Sequence, residues 1–113
     1  MKTLFYTREF PPYVYGGAGV HVEYLADELS KLMDVEVRCF GDQDSEEGNI
    51  KVKGFPYDNE VFKNADDKLK AVFQTLSTGL HMNADAIDAD VVHCHTWYAH
   101  FAGIMAKLCY GVP

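Results

Sequence analysis

Residues 3–22, Thr-Leu-Phe-Tyr-Thr-Arg-Glu-Phe-Pro-Pro-Tyr-Val-Tyr-Gly-Gly-Ala-Gly-Val-His-Val, run from a short apolar stretch through a loop into a knot of glycines. This succession constrains the fold more than any other feature of the chain. Leu4–Thr7 is aromatic and β-branched without a polar break, which suits a strand buried on both faces of a parallel sheet. Pro11 and Pro12 end that strand and are expected to hold the loop extended. Gly16, Gly17, Ala18 and Gly19 then give the least bulky backbone in the chain. Val22, Leu25, Ala26, Leu29, Leu32 and Met33 follow at steps of three and four and mark one face of a helix. No Ser, Thr, Asp or Asn stands where a cap belongs, so the first N–H groups of this helix need another partner. An anion fits, because small residues let it approach and the helix dipole favours it by about 0.3–2 kcal/mol. A tight helix entrance hydrated by water fits the same residues.

With 113 residues the chain has room for one domain and one core. The formal net charge of -7 argues against a nucleic-acid or anionic-membrane binder, though not against a local anion site built from backbone. Cys39, Cys94 and Cys109 are odd in number and far apart, so no disulfide framework is expected and a reducing cytoplasm is the simple reading. No stretch has the length and apolarity of a membrane span.

Val35–Phe40 alternates apolar with polar and reads as a strand. Gly41–Asn49 is polar and acidic and reads as a solvated loop. Ile50–Phe55 alternates again and reads as an edge strand, with Lys51 and Lys53 guarding its outer face. The short link between these two strands favours a hairpin, with an irregular crossover as the alternative. A long helix is expected from about Asn64, its N-cap, with Leu69, Val72, Phe73, Leu76 and Leu80 on its buried face. Ala84–Asp90 has the composition of a further short helical turn. Val91–His95 is a compact strand of buried type, and Tyr98–Tyr110 a helix with Phe101, Ala102, Met105, Leu108 and Cys109 inward. Gly111 is placed to end that helix. The order β-α-β-β-α-β-α argues for a Rossmann-like α/β three-layer sandwich with a mostly parallel sheet.

Such a sheet binds ligands beyond the carboxyl ends of its strands, where the chain crosses from one side of the first strand to the other. Here that fork lies between Leu4–Thr7 and Val91–His95, so the glycine loop and His95-Thr-Trp-Tyr converge on one cleft. His95, at the strand exit, can donate a hydrogen bond to a hydroxyl or phosphate oxygen. Trp97 and Tyr98 offer flat faces to a sugar ring or to the core, and for Trp97 a packing anchor is the favoured reading. For His93 a buried structural histidine is favoured. Alternation turns Cys94 away from the two histidines, so no metal site is expected. Gly17-Ala-Gly19 is neither the dinucleotide fingerprint, since Val22 stands at its third glycine, nor a Walker loop, since no lysine follows. The acidic run Asp42–Glu47 reads as solvated surface.

Three segments, EFPPYVYGGAGVHVEYLADEL, DVEVRCF and ADVVHCHTWYAHFAGIMAKLCYGVP, together resemble the N-terminal domain of retaining GT-B glycosyltransferases, above all glycogen synthase/starch synthase-like enzymes. The resemblance implies an N-terminal GT-B domain over residues 1–113. It implies that Gly16, Gly17 and Gly19 approach the diphosphate of a nucleotide-sugar, ADP-glucose or UDP-glucose, used as co-substrate with no bound cofactor. It also implies that His95, as the catalytic-site histidine, contacts the transferred sugar. Glu9 and Tyr13, with Trp97 and Tyr98, would face the sugar and a glucan or small-sugar acceptor. Val14 stands where ADP-glucose-using glycogen synthases have lysine, and His95-Thr-Trp-Tyr replaces their His-Asp-Trp-His, which points to a related glucosyl-transferring branch. The family's second domain, with its paired glutamates, has no counterpart here. The chain is therefore expected to be a piece of a longer enzyme, inactive alone, and to self-associate through an uncovered last strand. The alternative is a stand-alone α/β module that binds a phosphorylated small molecule.

Overall fold

The computed structural model describes residues 1–113. Along the chain the elements are β1 (Lys2–Thr7), α1 (Gly17–Ser30), β2 (Asp34–Phe40), β3 (Asp44–Glu47), β4 (Ile50–Phe55), α2 (Lys70–Ala84), β5 (Val91–His95) and α3 (Trp97–Tyr110). The sheet order is β3-β4-β2-β1-β5, with β4, β2, β1 and β5 parallel and β3 antiparallel to β4. Alternation along the strands sorts the core into two halves. Phe5, Val35, Val37, Cys39 and Val52 meet Val22 and Ala26 of α1 on one face. Leu4, Tyr6, Phe40 and Phe55 meet Met82 of α2 and Ala99, Ala102 and Ala106 of α3 on the other. The expected three-layer, mostly parallel α/β sandwich is what the chain forms.

The loop expected over Gly41–Asn49 contains strand β3. Its acidic residues have low strand propensity, but the register sets Asp44 opposite Lys53 and Glu46 opposite Lys51, and opposite charges across a strand pair favour pairing. The two lysines therefore face a partner strand, and β3 rather than β4 is the edge. The expected hairpin between β2 and β4 gives way to a parallel pair, with the hairpin formed one step later between β3 and β4. Pro11-Pro12 does not extend its loop but closes a turn, in which the Tyr13 N–H donates to the Phe10 carbonyl at 3.0 Å.

The second helix begins at Lys70 rather than near Asn64, after a turn in which Asp66 accepts the N–H groups of Lys68, Leu69 and Lys70. Its buried face is Thr75, Thr78, Gly79, Met82 and Asn83, while Leu69, Val72, Phe73 and Leu80 are exposed. The threonines hide their polarity by donating to the carbonyls of Ala71 (2.7 Å) and Gln74 (2.9 Å). Asn83 joins the layers, donating to Gly79 and Ala102 carbonyls and accepting from the Tyr6 hydroxyl at 2.9 Å. In α3 the inward stripe is Ala99, Ala102 and Ala106; of the expected set Ala102 is buried, Phe101 and Met105 are half-buried, and Leu108 (75%) and Cys109 are exposed. Small residues let α3 lie close: a Cβ on Gly79 would stand 3.1 Å from Phe101, and one on Gly103 would collide with Cys94 Sγ. Gly111, with φ of 69°, ends α3 as expected, its N–H on the Lys107 carbonyl at 2.9 Å.

Residues 85–90 are not helical, because Arg38 takes the carbonyls that another turn would use. Its Nη atoms donate to Met82 (2.6 Å), Asp85 (2.9 Å) and Ala86 (2.7 Å), and its Nε to Glu36 (2.9 Å). Lys2 Nζ meets the other Glu36 oxygen at 3.0 Å. Burial pushes the Glu36 carboxyl up, but Lys2 and Arg38 together outweigh it and hold it below the usual range. Strand β5 forms the far edge of the sheet. There the Val92 N–H donates to the Pro113 carbonyl at 2.8 Å, so the chain's end folds back along that edge.

Candidate functional site at the fork of the sheet

Parallel pairing of β1 and β5 sets Thr7 beside His95, so the loops that follow the two strands leave the sheet together. Helix α3 starts directly at Trp97 and α1 starts at Gly17, each presenting its N-terminal end after the carboxyl end of a strand. Part of the donor set at α1 is already answered from within. The Glu9 carboxylate accepts the N–H groups of Tyr15 (2.6 Å) and Gly19 (3.1 Å). The N–H groups of Gly17 and Ala18 make no hydrogen bond.

The three glycines differ. A Cβ on Gly19 would stand 2.9 Å from both Glu9 Cβ and Val14 Cγ1, so packing of the loop on the helix requires glycine there. A Cβ on Gly16 or Gly17 would meet nothing within 4 Å. Gly16 is also extended, with φ of -167°, so the chain's own packing does not require glycine at these two positions. What they leave is open room in front of free N–H groups.

His95 is only 8% exposed. Its ring lies 4.9 Å from Phe5, 4.1 Å from His93 and 6.0 Å from His21, centroid to centroid. His21 stands about one turn along α1 from Gly17, so the imidazole and the glycine turn share one end of the molecule. His95 Nε2 is buried with no hydrogen-bond partner. Burial, reinforced by His93 and His21, lowers its pKa to about 4, so the ring is neutral at pH 7. One nitrogen then donates and the other accepts. Thr96, the next residue, has φ of 68° and ψ of 167° and is the one non-glycine residue with positive φ. Strain of this kind costs about 1–3 kcal/mol and gathers at functional sites.

His93 is exposed, not the buried structural histidine favoured from sequence. Its strand is less covered than expected because β5 is an edge strand. Trp97 is likewise exposed and stacks on Tyr98 at 4.1 Å rather than anchoring the helix in the core. Tyr98 carries the Arg8 guanidinium 4.4 Å above its ring. The Tyr13 hydroxyl donates to Asp42 at 2.7 Å, and that carboxylate pushes the tyrosine pKa up.

Beside the fork, on the β2–β4 side, a cleft of about 320 Å³ is lined by Arg8, Tyr13, Tyr15, Phe40, Asp42 and Tyr57 among others. Sequence reasoning gave no role to Arg8, Tyr15, His21, Asp42 or Tyr57. For Arg8 and Asp42 the signal was available, since each lies within two residues of a strand's carboxyl end. No group of three or more His, Cys, Asp or Glu side chains is placed to hold a metal. No helix is long and apolar enough to cross a membrane.

Residues 15–113 match the family description "Glycosyltransferase Family 4". Over the whole chain the sequence is 43% identical to the alpha-maltose-1-phosphate synthase of Mycolicibacterium smegmatis and 40% identical to that of Mycobacterium tuberculosis. Over 95% of its length it is 29% identical to an uncharacterized glycosyltransferase of Methanocaldococcus jannaschii. The chain spans 27% of the length of each mycobacterial relative and 28% of the archaeal one.

Proposed function

The chain belongs to glycosyltransferase family 4, and on that footing we propose that it is the N-terminal, Rossmann-like part of a retaining GT-B hexosyltransferase. The whole enzyme moves a glucosyl unit from a nucleotide-sugar, ADP-glucose or UDP-glucose, to a sugar acceptor. The observation that carries this reading is His95, a buried, neutral imidazole with an orphaned Nε2 at the same fork as the unpaired N–H groups of Gly17 and Ala18. Buried polar atoms are almost always satisfied, and one left open where a sheet of this type binds ligands is a group reserved for a ligand.

Each part has a task in this reading. The N-terminal end of α1, opened by Gly16 and Gly17, takes the donor's diphosphate. Gly19 acts one step back, by letting Glu9 and Val14 pack on the helix. His95 contacts the transferred sugar, and the exposed Trp97 offers it a ring face, while Tyr98, covered by Trp97 and Arg8, holds that side of the site in place. Glu9 orders the loop through two backbone N–H groups. The chemistry is electrostatic: donors fixed in place before reaction stabilise the negative charge that builds on the leaving diphosphate.

The mycobacterial relatives are named for making maltose 1-phosphate. That product is small and phosphorylated, which supports a sugar acceptor over a glucan in the present case. The remaining length of such an enzyme would hold most of the nucleotide, so the 113-residue chain alone is expected to bind a donor weakly and to turn nothing over. Calorimetric titration with ADP-glucose and UDP-glucose tests the reading. Weak binding is expected, about tenfold weaker in His95→Asn, as loss of one buried hydrogen bond implies. Binding indifferent to His95→Asn would overturn the reading, and glucosyl transfer by the chain alone above a trace rate would overturn the need for the rest of the enzyme.

A further inference from the structure

We propose that the outer face of α2 and α3 is an interface on which a second copy of this chain docks to form a two-fold dimer. The two helices carry apolar residues at the same spacing. Phe73, Leu76 and Leu80 stand at i, i+3 and i+7 on α2, and Phe101, Ile104 and Leu108 repeat those steps on α3. That is the stripe of a helix packed against other helices. Neither stripe is the buried face of its helix, which is Thr75, Thr78, Gly79, Met82 and Asn83 on α2 and the three alanines on α3. Phe73, Leu80, Ile104 and Leu108 are 36%, 50%, 57% and 75% exposed, and Leu76 and Phe101 are half-buried. The stripes adjoin, because Phe101 lies against Gly79, the neighbour of Leu80. They make one apolar band that runs across both helices.

The band is too large for an ordinary free surface. With the exposed Leu69 and Val72 at its α2 end, it exceeds the few hundred Å² of contiguous apolar surface that a monomer usually leaves bare, and it approaches the roughly 800 Å² per partner of a standard interface. Charge at its two ends selects the occupant. Asp66 stands before α2 at the Phe73 end, and Lys107 stands beside Leu108 at the other. Neither makes an ion pair. A two-fold axis across the middle of the band, near Leu80 and Phe101, lays Phe73 and Leu76 of one copy on Ile104 and Leu108 of the other. The same axis brings each acidic end to the other copy's basic end. An isologous contact needs a patch that complements itself, and this band does so in both its apolar pattern and its charge. A lipid surface fits less well, because a chain of formal net charge -7 is repelled by an anionic bilayer. The band lies on the layer opposite α1, so docking leaves the glycine turn of α1 uncovered.

The test is sedimentation equilibrium of the chain from low to high micromolar concentration, read beside a dilution series of its methyl resonances. A monomer–dimer equilibrium is expected, with the Leu80, Ile104 and Leu108 methyls moving on its isotherm. Leu80→Glu and Leu108→Glu change exposed positions, so circular dichroism should show the fold intact. Each should weaken the dimer by at least about tenfold, since every substitution enters the interface twice. Lys107→Glu should weaken it several-fold, and adding Asp66→Lys should restore it, because the charges then meet with their signs exchanged. Val91→Lys, at the β5 edge, should leave it unchanged. A monomer throughout the range would overturn the proposal. So would a dimer indifferent to Leu80→Glu and Leu108→Glu, or one broken by Val91→Lys, which would place the contact at the sheet edge. Uptake of the monomer by phosphatidylcholine vesicles, lost in Leu108→Glu, would give the band to a lipid surface. A longer form of the protein that is monomeric and shields Leu80 and Leu108 from hydroxyl-radical labelling would give it to the chain itself. Either result overturns the second copy.

Discussion

The sheet carries a buried polar cluster on one face and, on the other, the buried imidazole of His95 beside the exposed rings of His93 and His21, and the two are finished to different degrees. On the α2–α3 face, every guanidinium nitrogen of Arg38 has an acceptor, both oxygens of Glu36 have a cation, and Asn83 binds Tyr6, Gly79 and Ala102. On the α1 face, three imidazoles crowd together at the fork and His95 keeps a nitrogen with no partner. Burial alone does not separate the two. Saturation does: a cluster whose bonds close on themselves holds the fold, and one left open is built to meet something else.

The largest expected effect comes from opening the closed cluster. Arg38→Ala strands Glu36 and three carbonyls and should cost about 3–5 kcal/mol of stability in urea denaturation. A loss below about 1 kcal/mol would erase the distinction between the clusters. Acidification should separate them next. The unfolded His95 ring takes its proton near its ordinary pKa of 6.5, but the folded one only at about 4, so stability should fall as pH drops across that window. The sum is about 3 kcal/mol, at 1.36 kcal/mol per pKa unit. Glu36 acts later: its folded carboxyl is held down, so its contribution is intact above its ordinary value and is lost only as pH falls below it. Denaturation midpoints at several pH values should show the first arm vanish in His95→Leu and the second remain.

Glycine substitutions sharpen the same contrast within one helical turn. Gly19→Ala forces Glu9 and Val14 aside and should cost about 1–3 kcal/mol. Gly17→Ala meets nothing and should be neutral or up to about 0.5 kcal/mol more stable, yet weaken donor binding. His95→Leu removes the orphaned nitrogen and should gain about 1 kcal/mol at pH 7 while losing the donor. The smallest effect concerns the β5 edge, where the Pro113 carbonyl takes the Val92 N–H and only the backbone groups beyond it are left to pair weakly between copies. Sedimentation at high concentration should show reversible association, and a clean monomer would count against it.

Much of this was legible in the sequence because local chemistry and tertiary context agree there. The glycine turn, the strand into His95 and the Gly111 stop each follow from residues that permit little else. The register of α2 was not legible. Thr75, Thr78 and Asn83 read as surface until their hydroxyls and amide are seen bonded to backbone one turn away or on the next helix, while Val72 and Phe73 read as core and stay outside. Strand β3 was hidden for a related reason: Asp44–Glu47 has no intrinsic liking for a strand, and only the lysines opposite make it one. At the fork, sequence brought His95 and the glycines to the same end of the sheet but did not show the part each plays in the packing. That Gly19 packs while Gly16 and Gly17 face open space, and that Glu9 spends its carboxylate on the helix, depends on distances that spacing does not carry.

The most direct test of the central claim is a measurement on His95 itself, by nitrogen-detected resonance of its imidazole in the free chain and with ADP-glucose. The expected result is a neutral ring that titrates near pH 4 when free, with an Nε2 signal that moves on the same saturation curve as the Gly17 amide as the donor is added. A ring that titrates near its ordinary value and ignores the donor would contradict it.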